Sequence, residues 1–231
     1  AGGIAPARGF EVAEFEARWA KAQSLRAVAD ISAILLTTEP EIRYFSGFLT
    51  PFWQSPTRPW FMVVPAAGKP VAVIPEIGRN CMATTWIDDI RTWSSPDPED
   101  DGVSLLMEAL REAVGDGSAF GVAMGPETHL RMPLLNFEML TRTLALDIAD
   151  ATPILRQLRM VKSEAEIEKI AYICGIVSGV FEGMPGWLAA GMTEVEVFHR
   201  FRIEALQAGA GGVPDLVGGP GAGGYGDRLR L

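Results

Sequence analysis

The chain has 231 residues, 48% hydrophobic and 21% charged, with a formal net charge of -9. That balance is globular rather than disordered, and no run approaches the ~18–20 consecutive apolar residues of a membrane-spanning helix. The acidic charge argues against a phosphate backbone as partner, so neither a nucleic acid nor a membrane is expected.

Residues Phe10 to Ala29 carry Phe15, Trp19, Ala22 and Leu25 at helical spacing, which predicts an amphipathic helix. Ile31 to Leu36 reads as a buried strand, and Glu41 to Gly47 as a turn-like segment. A connection with Pro51, Pro56 and Pro59 follows. Trp60–Val64 and Val71–Ile74 flank Ala67-Gly68-Lys69-Pro70 and predict a hairpin. Asp89–Trp93, Ala119–Met124 and Ala145–Ile148 read as further strands. Glu99–Val114 and Pro133–Leu144 read as helices. Alternating strands and helices imply an α/β domain with a mixed sheet.

From Pro153 the pattern changes. Pro153–Met160 predicts a short helical linker. Ser163-Glu164-Ala165-Glu166 is a capping box opening a long helix, expected to reach about Ala190 with a disturbance at Pro185 and a stop at Gly191. Thr193-Glu194-Val195-Glu196 is a second capping box, for a helix to about Ala208. Val213–Val217 reads as a strand. The expected domains are therefore 1–153 and 154–231, the second with too few strands to cover its helices.

The two cysteines, Cys81 and Cys174, stand far apart, so no disulfide scaffold is expected, and the cytoplasm is the default compartment. No basic and apolar leader opens the sequence. With only His129 and His199, a His-rich zinc site is excluded, and any metal site must lean on carboxylates. Both histidines read as structural or surface residues. Cys174, inside an apolar helix, reads as a buried small hydrophobe, and Cys81 has no basic neighbour closer than Arg79 to make it a nucleophile. Asp97 to Asp101 reads as a solvated helix start.

Nine of the 25 glycines lie between Gly209 and Gly226. Gly219 to Gly224 fits G-x-G-x-x-G formally, but Tyr225-Gly226-Asp227-Arg228 is no helix start for a pyrophosphate, so a dinucleotide is not expected.

Four segments, in order, carry a resemblance. They are Ile42-Arg43-Tyr44-Phe45-Ser46-Gly47-Phe48; Trp60 to Pro65 with Gly68-Lys69-Pro70; Leu158 to Ile167 with its Val161-Lys162-Ser163 core; and Gly191-Met192-Thr193-Glu194-Val195-Glu196. Together they resemble the creatinase, prolidase and aminopeptidase P family of pita-bread metallopeptidases. The resemblance implies a creatinase-like N-terminal α/β domain, followed by the opening helices and first strand of an incomplete pita-bread α+β domain. It implies a hydrolase of small peptides or C–N amide bonds, acting as a homodimer.

It also implies two divalent metal ions, Mn, Co or Zn, held by an Asp, Asp, His, Glu, Glu set and bridged by a water. Those ligands would follow Leu231, so no metal or catalytic residue is expected within this chain, and the glycine cluster reads as the approach to the metal site. Asp215 and Asp227 lack the sequence context of the ligand pair. Relatives carry a His after the glycine-rich segment, where Tyr225-Gly226-Asp227 stands here. The substrate thus stays open between a prolyl peptide and another amide.

The candidate site is the Phe48–Trp60 loop. Aromatic rings beside an arginine suit a carboxylate, since the guanidinium forks onto two oxygens while the rings exclude water. In creatinase-like relatives an Arg and a Phe of this loop reach the partner's active site and hold the substrate carboxylate. The resemblance places Phe52, Trp53 and Arg58 in that substrate-binding role. The alternative is that the aromatics are core and Arg58 is solvated. Two other functions stand beside the hydrolase: a non-catalytic carboxylate-binding or dimerisation module, and other hydrolase or lyase chemistry on the same scaffold.

Overall fold

The computed structural model describes residues 5–55 and 57–216. They form two compact units, Gly9–Val161 and a second made of the residues before Gly9 with those from Lys162 onward.

The first unit is built on six strands: β1 (Ala33–Leu36), β2 (Phe61–Val64), β3 (Val71–Pro75), β4 (Asp89–Trp93), β5 (Ala119–Val122) and β6 (Asp147–Asp150). Their spatial order is β4-β3-β2-β1-β5-β6. Only β2 runs against its neighbours; the β1–β5, β5–β6 and β3–β4 pairs are parallel. The sheet is mixed, as the sequence predicts. All eight residues of β1 and β2 are buried, because helices cover both faces. A strand buried on two sides reads as an unbroken apolar run.

On one face, Ile34, Leu36, Met62, Val64 and Ile74 pack with Phe15 and Trp19 of α1 (Val12–Val28), Ile42 and Phe45 of α2 (Glu39–Ser46), and Ile154, Leu155 and Leu158 of α6 (Thr152–Met160). On the other, Ala33, Leu35, Phe61, Val63 and Phe120 pack with Leu106 and Leu110 of α4 (Val103–Val114) and Leu140 of α5 (Leu134–Leu144). The remaining helix, α3, is one turn (Arg79–Met82). The helix predicted from Pro153 is thus part of the first unit's core, which extends that unit to Val161.

The segment expected to be a turn is α2. Eight residues are too few to show a helical period, but Glu41 secures the start: its carboxylate accepts the N–H groups of Thr37 and Thr38, both at 3.3 Å. Gly47 ends α2 with φ 75°, and its N–H bonds to Arg43 O at 2.8 Å. A Cβ there would also lie 2.9 Å from the Phe15 ring. Ser46 Oγ donates to Ile42 O at 2.6 Å and accepts from Phe48 N at 3.0 Å. Tyr44 donates to Leu158 O at 3.0 Å, and Phe45 O accepts the Trp86 indole at 2.8 Å. The Tyr-Phe-Ser-Gly-Phe motif therefore ties α2 to α6 and to its own C-cap.

The second unit holds α7 (Glu164–Gly183) and α8 (Glu194–Gln207). Both predicted capping boxes form, with Ser163 accepting from Glu166 N and Thr193 from Glu196 N. Helix α7 stops at Gly183, short of Ala190, because Pro185 has no N–H to continue the ladder; a 3₁₀ turn at Met184–Gly186 follows. Ile176, Val180, Phe201 and Ala205 form the shared core, and Phe181 and Phe201 meet with centroids 5.0 Å apart. The predicted strand at 213–217 is corrected: residues 213–216 are irregular, with no strand of this unit to pair with among the described residues. Val217 and the glycine cluster from Gly218 to Gly226, with Tyr225 and Asp227, lie outside the described residues. Among the described residues, no helix is long and apolar enough to cross a membrane.

Candidate functional site

Topology brings the candidate loop to a favoured place. The segment after α2 leads into the start of the antiparallel β2, so it lies at the same sheet edge as the C-terminal ends of β1, β5 and β6. Chain order reverses direction across the sheet beside β1, and open α/β sheets place ligands at such an edge.

Pro51–Gln54 forms one 3₁₀ turn, begun by Thr50, whose Oγ1 accepts Phe52 N at 3.3 Å. Trp53 is 8% exposed and Trp60 fully buried. Their rings stand 5.8 Å apart, with Phe48 5.2 Å from Trp60 and 6.4 Å from Trp53. Gly78 lets Trp60 in: a Cβ there would sit 2.2 Å from its ring. The indole N–H groups of Trp53 and Trp60 are buried without an acceptor. Phe52 and Arg58 are half-buried at the rim.

Arg58 has φ 60°, a left-handed conformation that costs a residue with a Cβ roughly 1–2 kcal/mol. This geometry sets its guanidinium 5.6 Å from the Phe52 ring centroid. The structure thus brings Phe52 and Arg58 together, and places Trp53 in the buried core beside Phe48 and Trp60.

One residue the sequence reasoning missed is Arg131, in the connection between β5 and α5. Its N–H donates to Thr37 Oγ1, just beyond the C-terminal end of β1, at 3.1 Å. Its guanidinium lies 5.2 Å from the Trp53 ring centroid. Nη1 donates to Arg58 O at 3.3 Å, and Nη2 to Ser55 O at 2.5 Å. Longer contacts from Nη2 reach Thr57 O at 3.4 Å and Phe52 O at 3.5 Å. Nη2 carries two hydrogens for three acceptors, so the long pair count for less than the Ser55 bond. Burial pulls the Arg131 guanidinium below its ordinary pKa, yet arginine stays protonated. Nothing near Arg131 in sequence marks it, since its partners lie 73 to 94 positions away.

A second depression at this edge, about 400 Å³, is lined by Gly125, Asp150, Thr152 and Arg156. Its polar groups bond to one another: Thr152 Oγ1 accepts Gly125 N at 2.8 Å, Asp150 Oδ1 accepts Thr152 N at 2.9 Å, and Arg156 donates to Pro126 O. The Thr152 hydroxyl and then its N–H, both bonding to the ionised form, hold the Asp150 carboxyl below its ordinary pKa.

His129, His199, Cys81 and Asp215 are all exposed, and the reading of Cys174 as buried is corrected: it is exposed on α7, whose shared core with α8 is made by Ile176 and Val180 instead. Among the described residues, no group of three or more His, Cys, Asp or Glu side chains is gathered to hold a metal ion. These residues do not themselves fit a dinuclear centre.

Residues 18–161 match the family model of the creatinase/prolidase N-terminal domain. The chain belongs to that family. It is 26% identical over 201 residues to the probable dipeptidase PepE of Mycobacterium tuberculosis, covering 82% of this chain and 48% of the relative. The crystal structure of dipeptidase PepE from Mycobacterium ulcerans matches with a TM-score of 0.72 and 25% identity, over 91% of this chain and 54% of that one. A prolidase from Thermococcus sibiricus, 18% identical, shares the fold at a TM-score of 0.70, over 85% of this chain and 50% of its own. The chain spans about half the length of the curated relatives it matches. The creatinase-type motif around Phe45-Ser46-Gly47 is thus part of this domain's architecture.

Proposed function

We propose that this chain is the N-terminal portion of a dinuclear-metal hydrolase that cleaves a small peptide or C–N amide bond. What carries the reading is the family match over residues 18–161, joined to a sequence likeness to a probable dipeptidase that covers 82% of this chain and so extends into the second unit. In this proposal the protein is cytoplasmic and homodimeric, and two divalent ions (Mn, Co or Zn) supply an activated water from residues beyond those described.

The chain's own part is recognition. Arg58 forks onto the substrate carboxylate, and Phe52 excludes water from that pair, which strengthens it. This division leaves the scissile bond to the metal-bearing part and lets residues 9–161 fix the end of the substrate.

The test is to express the gene with the codons downstream of Leu231 and assay alanyl-proline and other dipeptides with Mn²⁺, before and after chelation. Metal-dependent hydrolysis is expected. A stop codon directly after Leu231, or no hydrolysis with Mn²⁺, Co²⁺ or Zn²⁺, sinks the proposal. A second reading, a carboxylate-binding module without catalysis, is favoured by the fact that the compact unit 9–161 carries the entire candidate loop. It predicts dipeptide binding without turnover.

A further inference from the structure

We propose that Arg131 is the positioning residue of the carboxylate subsite: it sets the reach of Arg58 and Phe52 by fastening the loop that carries them. The inference rests on the reading that Arg58 meets a substrate carboxylate, and it goes beyond that reading by naming what holds Arg58 in place.

The loop's own bonds are local: Ser55 N–H bonds to Phe52 O at 3.0 Å, and the Ser55 and Thr57 hydroxyls lie 2.9 Å apart. One 3₁₀ turn spans Pro51–Gln54, and the described residues between it and Trp60 form no helix or strand. Its carbonyls at Ser55 and Arg58 instead accept from a single guanidinium, with longer contacts at Phe52 and Thr57. Arginine suits this task because its planar fork presents five N–H donors in a fixed arrangement. A lysine ammonium cannot reproduce that spread.

The anchor is itself fixed to the sheet. Arg131 N–H bonds to Thr37 Oγ1, and Thr37 N–H bonds to the buried Glu41 carboxylate. Beneath, the face of Trp53 holds the cation. One bond falls on the carbonyl of Arg58, the residue with φ 60°. The contact therefore acts where the backbone would otherwise relax to a negative φ and swing the Arg58 side chain away from Phe52.

Arg131 makes none of the carboxylate contact in this scheme, so its loss should show in loop order and ligand preference rather than in the fold. The experiment compares the full chain with its Arg131→Ala, Arg131→Lys and Arg58→Ala variants. Amide hydrogen exchange is followed at Phe52–Arg58. Binding of alanyl-proline is compared with that of alanyl-prolinamide, which lacks the carboxylate.

In Arg131→Ala, loop exchange is expected to rise about tenfold while β1 and β2 stay protected, and the preference for alanyl-proline is expected to fall about tenfold. Arg131→Lys should recover part of each. A general loss of packing would instead raise exchange throughout the sheet and weaken both ligands equally, which overturns the proposal. Unchanged loop exchange in Arg131→Ala also overturns it, as does a loosened loop with an unaltered preference that Arg58→Ala abolishes. If Arg58→Ala keeps the wild-type preference, the carboxylate reading fails, and the role of Arg131 is then decided by loop exchange alone.

Discussion

The two units bury apolar surface in different ways. In residues 9–161 a sheet lies between two helical layers, and the side chains buried there include Phe45, Phe48, Trp60, Phe61 and Phe120, each 1% exposed or less. In residues 162–216 two helices share a core of four buried side chains. Ile167, Ile170, Ile173, Val177, Phe181, Val195, Ile203 and Leu206 remain exposed on them. Helices alone close a core only if each presents one stripe; α7 is apolar on more than one side. The first unit has what a self-sufficient domain needs, and the second rests more on its local helix signals.

The largest expected effect tests that contrast directly. Phe45 is 1% exposed, packed on Trp19 and Tyr44. Phe45→Ala should cost about 3–5 kcal/mol in urea unfolding of the first unit. Phe201→Ala in the second should cost only ~1–2 kcal/mol, since a four-residue core has little to leave open. Equal costs would mean that the second unit is as firmly packed as the first.

Next comes Ser46→Ala, which removes one bond to Ile42 O and one from Phe48 N in a buried place. A loss of about 1–3 kcal/mol is expected. A change below ~0.5 kcal/mol would deny this motif its structural role.

Ser163→Ala and Thr193→Ala each remove an N-cap, at about 1 kcal/mol apiece. Circular dichroism should show helix content falling on mild heating, with the sheet unaffected. If the caps prove silent, α7 and α8 owe their ends to packing instead.

The smallest effect is one of pH. Asp150 titrates lower when folded because Thr152 hydrogen-bonds its ionised form, so it binds fewer protons folded than unfolded. Its contribution is complete above the unfolded value of about 3.9 and fades as pH falls through the lower folded value. Melting temperature against pH should lose part of its acid slope in Asp150→Asn. An identical slope would remove Asp150 from the account.

Much of this was legible in the sequence. The hairpin, β4, the helix boundaries at Ser163 and Thr193, and the aromatic loop follow from alternation, capping boxes and composition. Helix α2 was missed although Thr38-Glu39-Pro40-Glu41 writes a capping box with a proline in the first turn, because eight residues show no helical period to follow it. The strand at 213–217 read as one from β-branched composition, yet a strand needs a neighbour, which sequence does not supply. At the site, Phe52 and Arg58 could be named from composition and resemblance. Arg131 could not, because a guanidinium bonding to backbone carbonyls leaves no trace in the residues it touches.

The central claim is that Arg58, held beside Phe52 at the sheet edge, recognises a carboxylate. Calorimetric titration of the full chain and of Arg58→Ala with alanyl-proline and alanyl-prolinamide tests it most directly. Wild type should prefer the carboxylate-bearing ligand by about tenfold or more, the worth of one charge-assisted fork, and Arg58→Ala should show no preference. The same preference in both proteins would contradict the account.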